Sequence, residues 1–190
     1  GGAETMLMNI FRKFDKEKYE FTFMVNIQEK GWYDDEILAL GGKIVRINKI
    51  QNGRLNQYIN YLANLFIEGN YDVVHAHTFL HSGFVMKAAK KAGIKVRITH
   101  SHSAMDHFEK SMKYKFKKKY LQNLILKNAN YLLACSTEAG ECLFGKQFQT
   151  RGRIVKNSIR IDEIEKITDS KNLKDEYNIQ ESELILGHIG

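Results

Sequence analysis

Short runs rich in valine and isoleucine alternate along this chain with amphipathic stretches, and that alternation constrains the fold more than any other feature. YEFTFMVNI, KIVRI, YDVVHAH, IKVRITH, NYLLACS and RGRIVKNSI read as strands, YDVVHAH as a buried one. Between them lie helical patterns. GRLNQYINYLANLFIEGNY places Leu55, Ile59, Leu62 and Phe66 on one face, and SGFVMKAAKKAG is closed by Gly93. YDDEILALGG is a short helix with an acidic start, stopped by Gly41 and Gly42. Ahead of the first strand, AETMLMNIFRKF carries Met6, Ile10 and Phe14 at helical spacing, which predicts a helix buried along that stripe. Strands separated by helical crossovers pair in parallel, so the chain is predicted to be α/β with a Rossmann-like, doubly wound, mostly parallel sheet.

The same pass divides the chain. Residues 1–160 carry the alternation and read as one domain. Residues 161–183 are polar and read as a connector, and LILGHIG, residues 184–190, reads as a strand opening a second domain. The chain starts on GGAE and a helix. In a doubly wound sheet the first strand sits mid-sheet, so the first strand is expected to lie outside this sequence.

With 190 residues and 43% hydrophobic side chains, a compact core is expected. The net charge of +7 favours anionic partners and says nothing about fold. Cys135 and Cys142 form no CxxC pair and GGAETMLMNIF lacks the basic start of a leader, so reduced thiols and a cytoplasmic setting are expected. No apolar run approaches the ~20 residues of a membrane span.

Five of the seven histidines fall in DVVHAHTFLHS and VRITHSH. Both are strand ends, and an open parallel sheet binds ligands beyond the carboxyl ends of its strands. Residues two apart share a face of a strand, so His75 and His77 form one pair, and His100 and His102 the other. Three readings stand. The imidazoles hold a metal ion, for which HxH is a known spacing. They are satisfied inside the core. Or they line a pocket for a sugar and phosphate, where neutral imidazole donates or accepts a hydrogen bond. Gly1 and Gly2, ahead of the first helix, would let an anion reach free backbone N–H groups.

The order GGAE, DVVHAH, VRITHSH, LLACSTEAGECLFGK, IVKNSIRID and LILGHIG resembles that of the family 4 retaining glycosyltransferases of GT-B fold, of the bacterial exopolysaccharide and capsular polysaccharide type. The resemblance implies that the chain is the N-terminal, acceptor-side half of a two-domain enzyme, inactive without its donor-binding half. It implies a nucleotide-sugar co-substrate, expected to be a UDP-sugar, and neither a cofactor nor a metal. By position, Gly1 and Gly2 match the loop facing the donor diphosphate, and His77 the catalytic-pocket histidine that contacts the transferring sugar. His100, Ser101 and His102 match the acceptor-side HSH segment, Ser136 the serine ending the next strand, and Asn157 the asparagine of a usual NGID or NAID segment, which here reads NSIRID. The implied partners are the donor and a glycan or lipid-linked acceptor. The alternatives are a non-catalytic nucleotide- or sugar-binding Rossmann module and a His-ligated metal hydrolase.

EKSMKYKFKKKYLQNLILK aligns Met112, Phe116, Tyr120 and Leu124 at i+4 spacing, with Lys115, Lys118, Lys119 and Gln122 opposite. Two readings remain: the stripe packs on the sheet with a solvated lysine face outside, or the helix is an interfacial patch for an anionic membrane surface. The latter would put the protein at the inner face of the plasma membrane. Lysine-rich composition without a base-stacking platform argues against nucleic acid.

Overall fold

The computed structural model describes residues 2–48, 54–104, 111–157, 161, 173–180 and 182–186. The chain divides into two compact units, residues 1–158 and 159–190.

The first unit is built from parallel strands and helical crossovers. β1 (Thr22–Val25) pairs with β2 (Lys43–Arg46), with Phe23 opposite Ile44 and Met24 opposite Val45. β3 (Val73–Ala76), β4 (Val96–Ser101), β5 (Tyr131–Ala134) and β6 (Gly152–Ile154) lie side by side in chain order. Every pairing is parallel. The reason is the crossovers: α2 (Asp34–Ala39), α3 (Leu55–Glu68), α4 (Ser82–Lys91) and α5 (Met112–Asn128) join successive strands, and α6 (Thr137–Phe144) with α7 (Gln147–Arg151) joins the last two. α1 (Gly2–Lys13) precedes β1. Among the described residues no pairing joins β1 and β2 to the four-stranded sheet, so the sheet read as one from the sequence lies in two pieces.

One core spans both pieces. Met24 and Val45 pack on the cluster that holds Leu62 and Phe66 of α3, Met86 of α4 and Ile125 of α5. The other face of the β1–β2 pair lays Phe23 and Ile44 against Met8 and Phe11 of α1 and Ile37 of α2. Helices therefore cover both faces of that pair, the doubly wound arrangement. Each fully buried Leu, Met or Phe contributes about 1.5–3 kcal/mol. Gly41 and Gly93, at φ +81° each, supply the left-handed turns that end α2 and α4.

Three expectations are corrected. α1 buries Met6, Met8 and Phe11, while Ile10 is 37% exposed; its packing row runs through the residues that meet α2, Phe21 and Phe23, not through the i+4 stripe. β3 is not buried throughout: Val74 and Ala76 face the core, but Val73 and His75 are exposed. Three of the four stripe residues on α5 point outward, with Met112 64%, Phe116 71% and Tyr120 52% exposed; only Leu124 packs on the core, beside the buried Leu121, Ile125 and Asn128. Lys118 and Gln122 lie at the edge of that packed face, half-buried.

In the second unit the described residues form a short helix, Leu173–Glu176, and Leu184 to Leu186 belong to no helix or strand. Residues 187–190, within the expected strand, lie outside the described residues.

Candidate functional site

The β3–β4 register sets His75 opposite Ile98, one step before His100 on the same face of the sheet. Alternation then carries His77 and His102, just past the ends of β3 and β4, onto that face as well. Four imidazoles consequently stand together at the carboxyl end of two adjacent strands. His75 and His77 have ring centroids 4.1 Å apart, and His100 and His102 4.3 Å. Across the strands, His75 stacks on His100 at 5.5 Å and His77 on His102 at 5.0 Å.

His77 Nδ1 and His102 Nε2 are 2.7 Å apart, a hydrogen bond in which one ring must carry the proton. The outer nitrogens, His77 Nε2 and His102 Nδ1, are buried without a partner, as are both nitrogens of His100. Two neutral imidazoles joined this way leave one free N–H and one free lone pair, at opposite ends of the pair. Each is a hydrogen-bonding atom that the protein itself leaves unsatisfied.

Burial holds these rings neutral. It is the first cause of a downward shift in all four, and repulsion from neighbouring imidazoles adds to it in His75, His77 and His100. His75, which keeps an exposed side, is lowered to about 4, and His100, 2% exposed, to about 3. His77 is lowered to about 2. At neutral pH the cluster is thus uncharged and well suited to hydrogen bonding.

His75, His77 and His100 could also offer ligand atoms to a metal, all lying within 4.8 Å of one another. Tetrahedral zinc at ordinary Zn–N lengths wants them ~3.4 Å apart. No carboxylate belongs to the group.

The other predicted residues are placed differently. Ser101 points to the opposite face, fully buried, and its hydroxyl donates to the Ala139 carbonyl at 2.7 Å. Ser136 caps α6, accepting from the Ala139 N–H at 3.2 Å. Both serines thus fasten the start of α6. Gly2 opens α1, exposed, with no atom within 4 Å of where a Cβ would stand; Gly1 lies outside the described residues. Asn157 is exposed beyond β6. Among the described residues no hydrogen bond joins Gly2, Ser136 or Asn157 to the imidazoles. His75 was given no role of its own by the resemblance, yet it belongs to the cluster, as its period-two spacing with His77 indicated.

Residues 1–163 match Glycosyltransferase Family 4. The chain is 36% identical, over its whole length, to EpsF of Bacillus subtilis (strain 168), a protein named as a glycosyltransferase, and covers 50% of it. It is 27% identical over 94% of its length to the capsular polysaccharide biosynthesis glycosyltransferase CapH of Staphylococcus aureus, covering 48% of that protein. The chain thus spans about half the length of the curated relatives it matches. Its fold is similar to that of Anabaena Alr3699/HepE, crystallised in complex with UDP and glucose, with a TM-score of 0.68 at 16% identity over 94% of this chain and 47% of that one. A glycosyltransferase from Rickettsia africae ESF-5 gives a TM-score of 0.64 at 14% identity, over 96% and 47% respectively. At such identities the likeness is one of fold, and it agrees with the Rossmann-like N-terminal half of a GT-B architecture.

Proposed function

The chain belongs to glycosyltransferase family 4, and from that membership we propose that it is the acceptor-side half of an enzyme that transfers a sugar from a nucleotide-sugar, of UDP type, to a growing glycan in polysaccharide biosynthesis. The observation that carries this reading is the neutral imidazole cluster at the carboxyl ends of β3 and β4, with hydrogen-bonding nitrogens left free. The names of EpsF and CapH support the polysaccharide setting, and the UDP complex of the Anabaena protein supports the donor type.

Transfer proceeds with retention. The bond from the anomeric carbon to the diphosphate oxygen breaks, positive charge grows at that carbon, and the acceptor oxygen bonds to the same face while its proton passes to the departing diphosphate. His77 holds the transferring sugar by a hydrogen bond, and His102 fixes the His77 tautomer. His100 lines the acceptor side. Backbone N–H groups at Gly1 and Gly2 stabilise the diphosphate, and orientation of the two substrates supplies much of the rate. The chain alone, without a donor-binding half, turns over no donor.

The acceptor is lipid-linked, and the enzyme works at the inner face of the plasma membrane. The outward row Met112, Phe116 and Tyr120 on α5 supports this, because exposed Lys113, Lys115, Lys117 and Lys119 flank it. Apolar side chains among lysines suit an anionic lipid surface. No helix among the described residues is long and apolar enough to cross a membrane. A screen of the whole enzyme with UDP-, GDP- and dTDP-sugars tests the proposal; turnover of a UDP-sugar is expected, and turnover of none of the three would overturn it.

A further inference from the structure

Trp32 is the chain's only tryptophan and, at 93% exposed, the most exposed large apolar side chain among the described residues. An indole left this open gains nothing for folding. Nor does it stand on a slack loop. The segment from β1 to α2 is tied down from β2: Arg46 Nε donates to the Gln28 carbonyl at 2.8 Å, and its Nη2 to Glu29 O at 3.2 Å and to Asp34 Oδ2 at 2.5 Å. Asp34 in turn accepts from the Gly31 N–H at 2.9 Å. A Cβ at Gly31 would stand 2.9 Å from Asp34 Oδ1, so a larger residue there would push on the Asp34 carboxylate that ties the turn.

The far side of the tryptophan is anchored to α1. The Tyr33 hydroxyl meets Thr5 Oγ1 at 3.3 Å in the first turns of that helix. Arg12 lies over the Tyr33 ring at 5.8 Å and holds Glu36 with two hydrogen bonds of 2.6 and 2.7 Å. Trp32 therefore projects into solvent from a braced backbone beyond the carboxyl end of β1, next in sequence to a residue that touches the opening of α1. That is the edge of a parallel sheet at which ligands bind.

We propose that Trp32 is the stacking platform for a pyranose ring of the acceptor glycan, an assignment that rests on the transferase reading above. One face of a pyranose is a patch of C–H groups, which packs on an indole, while the ring hydroxyls remain at the rim. The exposed Lys30–Asp35 ion pair, at 2.6 Å, brackets Trp32 in sequence and offers a donor and an acceptor for those hydroxyls. Trp32 is a positioning residue: it holds the acceptor and takes no part in bond making. An exposed aromatic carried on a braced segment is the kind of group that dominates recognition of a partner.

The test uses the whole enzyme, its active donor from the screen, and membranes of the source strain lacking the gene as the acceptor. Trp32→Ala is expected to raise the acceptor KM about tenfold, with donor KM, acceptor-independent donor hydrolysis and melting temperature unchanged. Trp32→Tyr should restore most of the loss. A wild-type acceptor KM in Trp32→Ala overturns the proposal, as does an equal loss of donor hydrolysis. So does release of Trp32→Ala from sugar-free vesicles of phosphatidylglycerol, which would make the indole a lipid anchor. Absence of donor hydrolysis in the wild type would instead remove the transferase reading and this assignment with it.

Discussion

His77 and His102, delivered by neighbouring parallel strands, share a hydrogen bond of 2.7 Å and leave their remaining nitrogens buried and unpartnered. A pair so joined has a fixed tautomer relationship, and the end that faces a ligand is set by the other ring. Removal of His77 from the whole enzyme takes away the sugar contact itself. His77→Ala is expected to reduce kcat by about 10²-fold or more, with a melting temperature close to wild type because a buried, partly unsatisfied ring adds little to stability. His102→Ala should show a smaller fall in kcat. Near wild-type turnover in His77→Ala would place the pocket elsewhere.

Acid should unfold this chain early. A free imidazole has a pKa near 6.5, and His75 and His100 are lowered to about 4 and about 3 in the fold, chiefly by burial. Between those values and 6.5 the unfolded chain binds more protons than the folded one. Stability therefore rises with pH across that window, is flat above about pH 6.5, and falls on acidification by about 1.4 kcal/mol per pH unit for each ring kept neutral. His75 contributes less than this because one side of it meets solvent. Urea titrations at pH 7, 6 and 5 should show the decline, and His100→Gln should make it shallower. Identical slopes for the two proteins would mean that His100 already carries a proton in the fold.

The crossovers, their glycine stops and the order of strands were legible because they rest on local chemistry: periodicity, φ at Gly41 and Gly93, and the length needed for a parallel return. The imidazole cluster was half legible. Period two brought His75 with His77 and His100 with His102, but only the register of β3 against β4 makes four rings one group. Ser101 misled because it sits between two clustered histidines, and the pleat that unites them sends it to the other face. The α1 stripe failed for another reason. Met6, Met8, Phe11 and Phe14 offer more than one helical row, and the choice depends on where Phe21 and Phe23 come to lie.

Metal should not be needed. No anionic ligand stands among His75, His77 and His100, and His77 Nδ1 is already engaged by His102 at 2.7 Å. Elemental analysis of the purified protein should find no stoichiometric metal. Dialysis against a chelator should leave its melting temperature where it was. A drop in that temperature, restored by zinc, would turn the cluster into a metal centre and displace the hydrogen-bonding role assigned to His77.

α5 separates two kinds of apolar residue on one helix, and its two faces should respond in opposite ways. Ile125 is fully buried, and Phe116 is 71% exposed about two and a half turns away on the other side. Ile125→Ala removes packed methylenes and leaves a cavity, so a loss of about 2–5 kcal/mol is expected. Phe116→Ala removes a ring already in water and should change stability by less than about 0.5 kcal/mol. Binding to vesicles should reverse the ranking. Phe116→Ala and Lys117→Glu are each expected to weaken sedimentation with phosphatidylglycerol vesicles, and rising salt should weaken it further, since lysine attraction to the surface is screened within a Debye length. Ile125→Ala, if still folded, should sediment like the wild type. Sedimentation indifferent to lipid charge and to both surface substitutions would leave the outward aromatic row without a membrane role.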